Sequence, residues 1–414
     1  MITTIAVQSL KHRLSAVLLT MLSIVVSVSL LLSVEHLRIQ TKASFGRTIS
    51  GVDLIVGAPT GQSNLLLYSV FRIGNPTNSV SWESYQTLSK LPSVKWIIPI
   101  ALGDSHEGFR VLGTNTDYFK HFQYGNKQSL NIDKGKTFDA PFDAVIGAEV
   151  AEKLNYKLGD EIEMSHGLGE VSFTKHSESP FVVTGILAST GTPVDRTIHV
   201  TLIGLEAAHM NATEIHKIHE SIAAGETIDV EIDSVTAMFI GLQAKMQVFQ
   251  LQRAVNQYKK EPMLAIMPGV AFAELWQLVA NVENILLFIS VLILFSSLLG
   301  LATMLLTTVR ERRQEMAVLR AIGAHSWVVF LLIQMEALLL SLGASIIAVL
   351  LVWAGFQFGS TWLSAEYGLF IENTVLGIRS IAIIGIVSVA TFIIACVPAF
   401  SAYRQSLQQG MSNK

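Results

Sequence analysis

The chain has 414 residues, of which half are hydrophobic and 15% are charged, and its mean hydropathy is +0.48. A soluble globular domain carries about 25% charged residues, so the composition excludes an entirely soluble protein and predicts a membrane protein with a soluble part. The net charge of −3 offers no basic surface of the kind that nucleic-acid binding requires.

The first predicted element is a membrane-spanning helix over residues 14–35. The run from Leu14 to Val34 contains no charged residue, and about 20 apolar residues suffice to cross the hydrocarbon of a bilayer. The run is too long for the apolar part of a signal peptide, and it is followed by Glu35-His36-Leu37-Arg38 and not by a small-residue cleavage site. We therefore predict an uncleaved anchor.

Residues 36–283 are predicted to form a large α+β domain with stalk-like ends. Short apolar runs bounded by turn residues predict strands at 52–57, 94–99 and 181–187, and helices are predicted at 81–91 and 148–154. A β-rich insertion is expected over about 116–205, and a long helix over 235–259. Because Cys396 is the only cysteine, this domain has to be stabilised by its own core.

Three further spans follow, at 284–309, 327–356 and 380–403, and because backbone groups in lipid have to be bonded internally, all of them should be helices. Between them lie short loops at 310–326 and 357–379, and a tail at 404–414 ends the chain. Basic residues are concentrated in the segments 1–13, 310–326 and 404–414, which places these segments and both termini in the cytoplasm. The predicted fold class is thus four transmembrane α-helices, with a large α+β extracytoplasmic domain between helices 1 and 2.

The loop between the second and third spans carries the most specific motif in the chain. It reads Thr-Val-Arg-Glu-Arg-Arg-Gln-Glu-Met-Ala-Val-Leu-Arg-Ala-Ile-Gly-Ala from Thr308 to Ala324. This run resembles the FtsX/MacB-type permease family, which includes the lipoprotein-releasing LolC/LolE proteins. Residues 8–14 resemble the short elbow helix of that family, and 148–160 with 181–187 resemble its periplasmic core domain. The C-terminus departs from the family pattern because the usual Asp-Pro is missing.

The resemblance implies an ABC-type permease of the bacterial inner membrane that works by transport or mechanotransmission. Such permeases pair as homodimers or as heterodimers with a similar permease, and they bind two copies of a separate cytoplasmic ATPase. ATP would be bound by that partner, so the chain itself is expected to need no cofactor. The substrate can be handled entirely on the periplasmic side, where a periplasmic partner is also compatible with the family.

The motif has a physical interpretation of its own. Met316, Leu319 and either Ile322 or Gly323 recur at helical spacing and would form one apolar stripe, with charged residues on the other surfaces. Such a helix can dock into a partner groove or lie at the membrane interface with its arginines in water; the family resemblance favours docking. The predicted ATPase-coupling residues are Arg312, Arg313, Glu315, Met316, Leu319, Arg320 and Gly323.

No enzymatic site is predicted. The only Gly-Lys-Thr, at 135–137, has Leu130 where a phosphate-binding loop requires its first glycine. ATP hydrolysis is therefore expected in another chain.

Two polar features remain open to more than one interpretation. Glu336 lies inside the third span, where a carboxylate can be functional, although a structural pairing is favoured. His209, His216 and His219 lie close in sequence and form a candidate metal site; the alternative interpretation is that they are ordinary surface histidines. An alternative function is accordingly a membrane-anchored extracytoplasmic sensor, or a zinc-handling component of an ABC system.

Overall fold

The computed structural model describes residues 14–166, 175–224, 230–311, 325–367 and 375–411. The chain divides into two units. The helical unit comprises Met1–Gln40, Val279–Trp362 and Ile371–Lys414, and the mixed unit comprises Thr41–Leu278 with Leu363–Phe370.

The first described helix, α1, runs from Leu14 to Arg47 without a break. It therefore extends well beyond the predicted span at 14–35. No glycine or proline interrupts it before Gly46, so nothing in the sequence opposes helical continuation past the apolar run. The polar turns of the helix after Val34 correspond to the expected stalk.

The mixed unit alternates short strands and helices. Its strands are β1 (Leu54–Gly57), β2 (Val80–Ser81), β3 (Val94–His106), β4 (Phe109–Thr114), β5 (Gln123–Tyr124), β6 (Gln128–Ser129), β7 (Ile132–Gly135), β8 (Asp143–Ile146), β9 (Glu161–His166), β10 (Lys175–Leu187), β11 (Thr197–Thr201), β12 (Ser234–Val235), β13 (Ala237–Leu242) and β14 (Leu264–Ile266). Its helices are α2 (Gln62–Phe71), α3 (Trp82–Ser89), α4 (Asp117–His121), α5 (Ala148–Leu154), α6 (Leu202–Ala208), α7 (Ala212–Ala224) and α8 (Val248–Asn256).

Ten of the described strands join in one sheet. Their order is β14-β1-β13-β3-β4-β11-β8-β10-β7, with β9 pairing both β10 and β3. The pairs β4–β11 and β8–β10 are parallel, and the other pairs are antiparallel. Residues 116–205 supply β7 to β11, and they join the rest of the sheet mainly through β11 beside β4.

The sheet is buried on both faces, which explains its apolar strands. In β1, Leu54 and Val56 belong to the core on one face, and Ile55 belongs to the core on the other. This follows from the two-residue period of a strand. The edge strand β14 is also protected, because Gln252 Nε2 donates to the Ala265 carbonyl at 3.0 Å and Asn256 Oδ1 accepts from its N–H at 2.7 Å. The N–H and the carbonyl of Ala265, which could otherwise pair with another strand, are thereby hydrogen-bonded within the domain.

The predicted strands at 52–57, 94–99 and 181–187 and the predicted helices at 81–91 and 148–154 are confirmed. The helix predicted over 235–259 is wrong for its first half. Residues Ala237–Leu242 form β13, and the helix is restricted to Val248–Asn256. All six residues of β13 are buried between β1 and β3, so the run lacks the polar alternation that would have distinguished a strand from a helix.

Three long helices follow the mixed unit: α9 (Pro268–Glu311), α10 (Ser326–Tyr367) and α11 (Ile378–Met411). Within the described residues, four helices are long and apolar enough to cross a membrane, over Leu14–Arg47, Pro268–Glu311, Ser326–Gly359 and Ile378–Arg404. The described strands of the mixed unit, from Leu54 to Ile266, therefore lie in sequence between the first and second candidate spans, which agrees with the predicted fold class.

The helical unit has its own apolar core, which includes Ile24, Leu298, Ala337 and Val387. Other large apolar side chains of the same helices face outward; Leu19 and Phe288, for example, are 71% and 62% exposed. Exposing these apolar side chains to water would cost free energy, whereas apolar side chains facing lipid are normal in membrane helices.

Candidate functional site

The helices α1 and α9 are bonded to each other by serine hydroxyls inside the helical unit. Ser297 Oγ lies 3.0 Å from Ser23 Oγ and 2.5 Å from Ser27 Oγ, and both Ser27 and Ser297 are buried. Small hydroxyl residues allow two membrane helices to approach closely and to share hydrogen bonds worth about 0.6 kcal/mol each. The serines thus form the first link between the two helices.

A second link is an ion pair near the ends of the apolar segments. Arg38 Nε on α1 lies 3.2 Å from Glu283 Oε2 on α9, and Arg38 Nη1 lies 3.5 Å from Glu35 on its own helix. The side chain of Glu283 is only 12% exposed, whereas that of Arg38 is 38% exposed. The pair joins the two helices just outside the predicted spans at 14–35 and 284–309.

Aromatic residues link the same two helices within the mixed unit. The rings of Phe45 and Phe272 are stacked with centroids 6.5 Å apart, and Lys42 Nζ lies 5.7 Å from the centroid of the Trp276 ring. Phe45 also contacts Phe71 at the end of α2, at 4.7 Å. Aromatic pairs contribute about 0.5–1.5 kcal/mol beyond burial. We call the serine, ion-pair and aromatic links together the stalk contacts.

The third and fourth spans are joined by polar contacts in the core of the helical unit. Thr391 Oγ1 donates to Ser341 Oγ at 2.9 Å, and Gln334 Nε2 donates to the Phe392 carbonyl at 3.3 Å. Glu336 is buried, with 1% exposure, and has a polar or electrostatic interaction within the protein. Its burial inside the protein is the usual position of a carboxylate in a membrane helix.

The predicted ATPase-coupling residues Arg312, Arg313, Glu315, Met316, Leu319, Arg320 and Gly323 lie outside the described residues. The structure describes the flanks of this loop: α9 extends to Glu311, and α10 begins at Ser326. The coupling role of the loop therefore stays a prediction.

The three histidines of the candidate metal site make separate contacts. His209 Nε2 lies 3.3 Å from Asp104 Oδ2, His216 Nε2 lies 3.3 Å from Glu220 Oε1, and the ring of His219 stacks on Phe142 at 4.9 Å. The hydrogen bond that the His209 ring donates to the Asp104 carboxylate raises the pKa of His209 against the opposing effect of burial. Among the residues whose side chains the structure describes, no group of three His, Cys, Asp or Glu residues is arranged to hold a metal ion.

Two family models match the chain. The MacB-like periplasmic core domain matches residues 17–257, more than half of the chain, and the FtsX-like permease C-terminal model matches residues 287–407. The chain belongs to the FtsX/MacB permease family. No curated protein sequence matches it significantly.

Among solved structures, the permease is similar to the extracellular domain of the noncanonic ABC-type transporter YknZ from Gram-positive bacteria. The identity is 16%, the TM-score is 0.30, and the match covers 52% of this chain and 99% of that domain. It is also similar to the periplasmic region of MacB from Actinobacillus actinomycetemcomitans, with 10% identity, a TM-score of 0.34, and coverage of 56% of this chain and 95% of that region.

Membership makes this permease the membrane subunit of an ABC transporter and a multi-pass membrane protein. The domain between its first two spans is the periplasmic core domain of the family. Subunits of this family are generally non-catalytic and function with ABC ATPase partners.

The stalk contacts of the permease were not predicted from sequence. Ser23 and Ser27 are four residues apart in an apolar helix, which is a signal for a helix interface, but their partner Ser297 lies about 270 residues away. Arg38 and Glu283 could be recognised as isolated charges near span ends, and nothing in the sequence pairs them.

Proposed function

We propose that this permease subunit couples ATP hydrolysis by a separate cytoplasmic ATPase to motion of its periplasmic domain, acting in export or extraction of a periplasmic or membrane substrate. The main support is the unbroken course of α1 to Arg47 and of α9 from Pro268. A helix transmits displacement along its axis, whereas a Gly/Ser-rich linker would absorb it.

The stalk contacts support the same proposal from energetics. Each link contributes on the order of 0.5–1 kcal/mol, and together they favour joint movement of α1 and α9. None of the links is strong enough to fix one arrangement permanently. A pair of helices held in this way can shift between two packings when a bound partner favours one of them.

In the proposed arrangement both termini and the loop 310–326 are cytoplasmic, in the inner membrane of a bacterium. Two copies of the ATPase would each dock on one permease of a homodimer or heterodimer. The apolar stripe of Met316 and Leu319 would enter a groove of the ATPase, and the arginines around it would contact acidic residues at the rim. The nucleotide remains bound by the ATPase chain.

The test is copurification of the full-length permease with an ATPase that carries a nucleotide-binding loop. We expect Glu315→Arg and Leu319→Arg to abolish binding of the ATPase while membrane insertion is unchanged. The matched control for Leu319→Arg is Gln314→Arg, which adds the same single positive charge to the same loop on the side away from the predicted stripe. Unchanged ATPase binding in both variants, or equal loss in the control, would contradict the docking role of this loop. If the full-length permease purifies with no associated ATPase, the result would favour the alternative function as a membrane-anchored sensor.

A further inference from the structure

One side of α9 is occupied by α1. Trp276, Glu283 and Ser297 make the cation–π, ion-pair and serine contacts described above, and Ser290 is buried. These four residues recur every seven positions, and seven residues are close to two full turns of an α-helix. They therefore lie along one side of α9, the side that contacts α1 of the same chain.

The far side of α9 carries an exposed apolar stripe. Leu278, Val282, Ile285, Ile289 and Leu292 are between 43% and 65% exposed. They are spaced by four, three, four and three residues, which is the heptad spacing of a coiled coil. At about 100° per residue, the stripe lies roughly 130° around the helix axis from the side that contacts α1. We call these five residues the α9 seam.

The α9 seam extends beyond the predicted membrane span. Leu278 and Val282 precede the span at 284–309, next to the exposed amides Gln277 and Asn281, and Val282 is adjacent to the ion-paired Glu283. Lipid can cover the apolar residues inside the span, but amide and charged side chains mark a region in contact with water. Exposing Leu278 and Val282 to water costs free energy, so burial against another protein surface is favourable there.

The residue types of the α9 seam favour two parallel helices. Val282 and Ile289, which are β-branched, occupy one of the two repeating positions, and Leu278 and Leu292 occupy the other together with Ile285. β-branched residues at the first position with leucine at the second are typical of parallel two-stranded coiled coils.

The residues beside the α9 seam do not select a different partner. Val279, Asn281, Leu286 and Phe288 flank it and carry no charge, whereas coiled coils that pair with a different chain commonly use charged residues at these positions. Two copies of one chain insert into a membrane in the same direction, so their α9 helices run parallel. A two-fold axis along the membrane normal then brings each seam residue against its own counterpart. The occupant that fits the α9 seam is therefore a second copy of this chain.

We propose that two copies of the permease pair through the α9 seam, as a parallel two-stranded coiled coil that begins inside the membrane and continues into the stalk. This inference deepens the proposed function, on which its role in coupling rests, because that function is compatible with a homodimer and with a heterodimer, and the seam selects the homodimer. Each α9 then contacts α1 of its own chain on one side and α9 of the second copy on another. The stalks of the two copies would move together.

Cysteine cross-linking tests the α9 seam in the full-length permease. Cys396, the only cysteine, is first replaced by Cys396→Ala, and Leu278→Cys, Val282→Cys or Ile285→Cys is then introduced. Two versions of each variant, with different epitope tags, are co-expressed, and the isolated membranes are treated with a mild oxidant. A disulfide requires Cα atoms within about 7 Å, so all three variants should give covalent dimers that carry both tags.

The matched controls are Gln277→Cys and Asn284→Cys. Both positions are exposed, and each is adjacent to a seam residue, at the same depth but on another side of α9. They should give several-fold less cross-linked dimer than the seam variants. Equal cross-linking at seam and control positions would indicate random collision and would overturn the proposal.

A charge exchange at Val282 tests self-pairing independently, since the two-fold axis places the two Val282 side chains against each other. Val282→Glu and Val282→Lys, each combined with Leu278→Cys and expressed alone, should weaken association about tenfold or more, because like charges then face each other. Co-expression of the two variants should restore the Leu278→Cys cross-link, now between differently tagged chains. Asn284→Glu is the control and should leave this cross-link unchanged.

Three further results would overturn the proposal: no cross-linked dimer in any seam variant, a cross-linked product that never carries both tags, or no recovery when the Glu and Lys variants are mixed. The second result would assign the α9 seam to a different chain. None of these measurements requires the ATPase, so their failure would leave ATPase coupling standing. Failure to copurify an ATPase would likewise leave the α9 seam standing.

Discussion

Reversal of the Arg38–Glu283 ion pair tests whether α1 and α9 act as one mechanical element. The single variants are Arg38→Glu and Glu283→Arg, and the third variant combines them. Each single change places like charges where Arg38 Nε and Glu283 Oε2 are now 3.2 Å apart. The double variant restores an opposite-charge pair with its direction reversed.

The magnitude is modest because the pair is partly exposed. Arg38 has 38% side-chain exposure, so the pair should contribute about 0.5–1 kcal/mol, and a repulsion of similar size replaces it in each single variant. The total of about 1–2 kcal/mol corresponds to a change of roughly five- to thirtyfold in an equilibrium constant. Arg38→Glu should be the more severe change, since Arg38 also lies 3.5 Å from Glu35 and its reversal would bring three carboxylates together.

The assay uses the permease copurified with its ATPase. We expect lower Tm and weaker coupling of ATP hydrolysis to transport in both single variants, and recovery of most of both in the double variant. A double-mutant cycle gives the coupling free energy. The matched control reverses Asp117 and Lys120, an exposed pair at 3.2 Å within α4, and it should leave coupling unchanged.

Additive losses in the double variant would show that Arg38 and Glu283 do not interact functionally. Loss of coupling in the Asp117–Lys120 control would show that charge reversal acts through general destabilisation. Either result would remove the ion pair from the proposed path of motion.

Two further predictions concern the periplasmic domain. Gly241→Ala should lower stability by about 1–3 kcal/mol, because an added Cβ would lie 2.1 Å from the Trp96 ring. Gly103→Ala is the control and should be nearly neutral, because its Cβ would meet no atom within 4 Å. The measurement is Tm in detergent, and equal shifts for the two variants would contradict the prediction. The pKa of His209 is raised in the folded protein, chiefly by Asp104. The His209–Asp104 pair therefore stabilises the folded state fully at pH values below the pKa of histidine in the unfolded chain. This stabilisation is lost as the pH rises through the pKa of His209 in the folded protein. The Tm difference between wild type and His209→Gln should therefore shrink from about pH 5.5 to about pH 8, and a constant difference would show that the pair does not titrate in this range.

The helix and strand segments of this protein were largely predictable because local patterns determine them. The apolar run from Leu14 to Val34 has to be helical in lipid, and the strand at 181–187 is apolar and bounded by turns. The segment 237–242 was not predictable, because its local pattern is ambiguous. Its residues are buried on both faces, and an apolar run without alternation fits a helix as well as a strand.

The contacts of the candidate site were much less predictable than the elements. Proximity in sequence suggested that His209, His216 and His219 act together, yet His209 contacts Asp104, which lies on β3. The pattern of α7 places side chains around the helix without specifying what packs against them. Contacts between distant segments depend on the register of the sheet and of the helix packing, and no local pattern encodes that register.

The sequence by itself determined that this protein spans a membrane with a folded domain between its first two spans, because hydrophobic thickness and backbone hydrogen bonding in lipid leave no other solution. Only the tertiary structure decided which residues meet. Arg38 with Glu283, Phe45 with Phe272, and Ser27 with Ser297 are neighbours because separate elements pack together. Their pairing is a property of that packing, since nothing in the local sequence around either partner specifies the other.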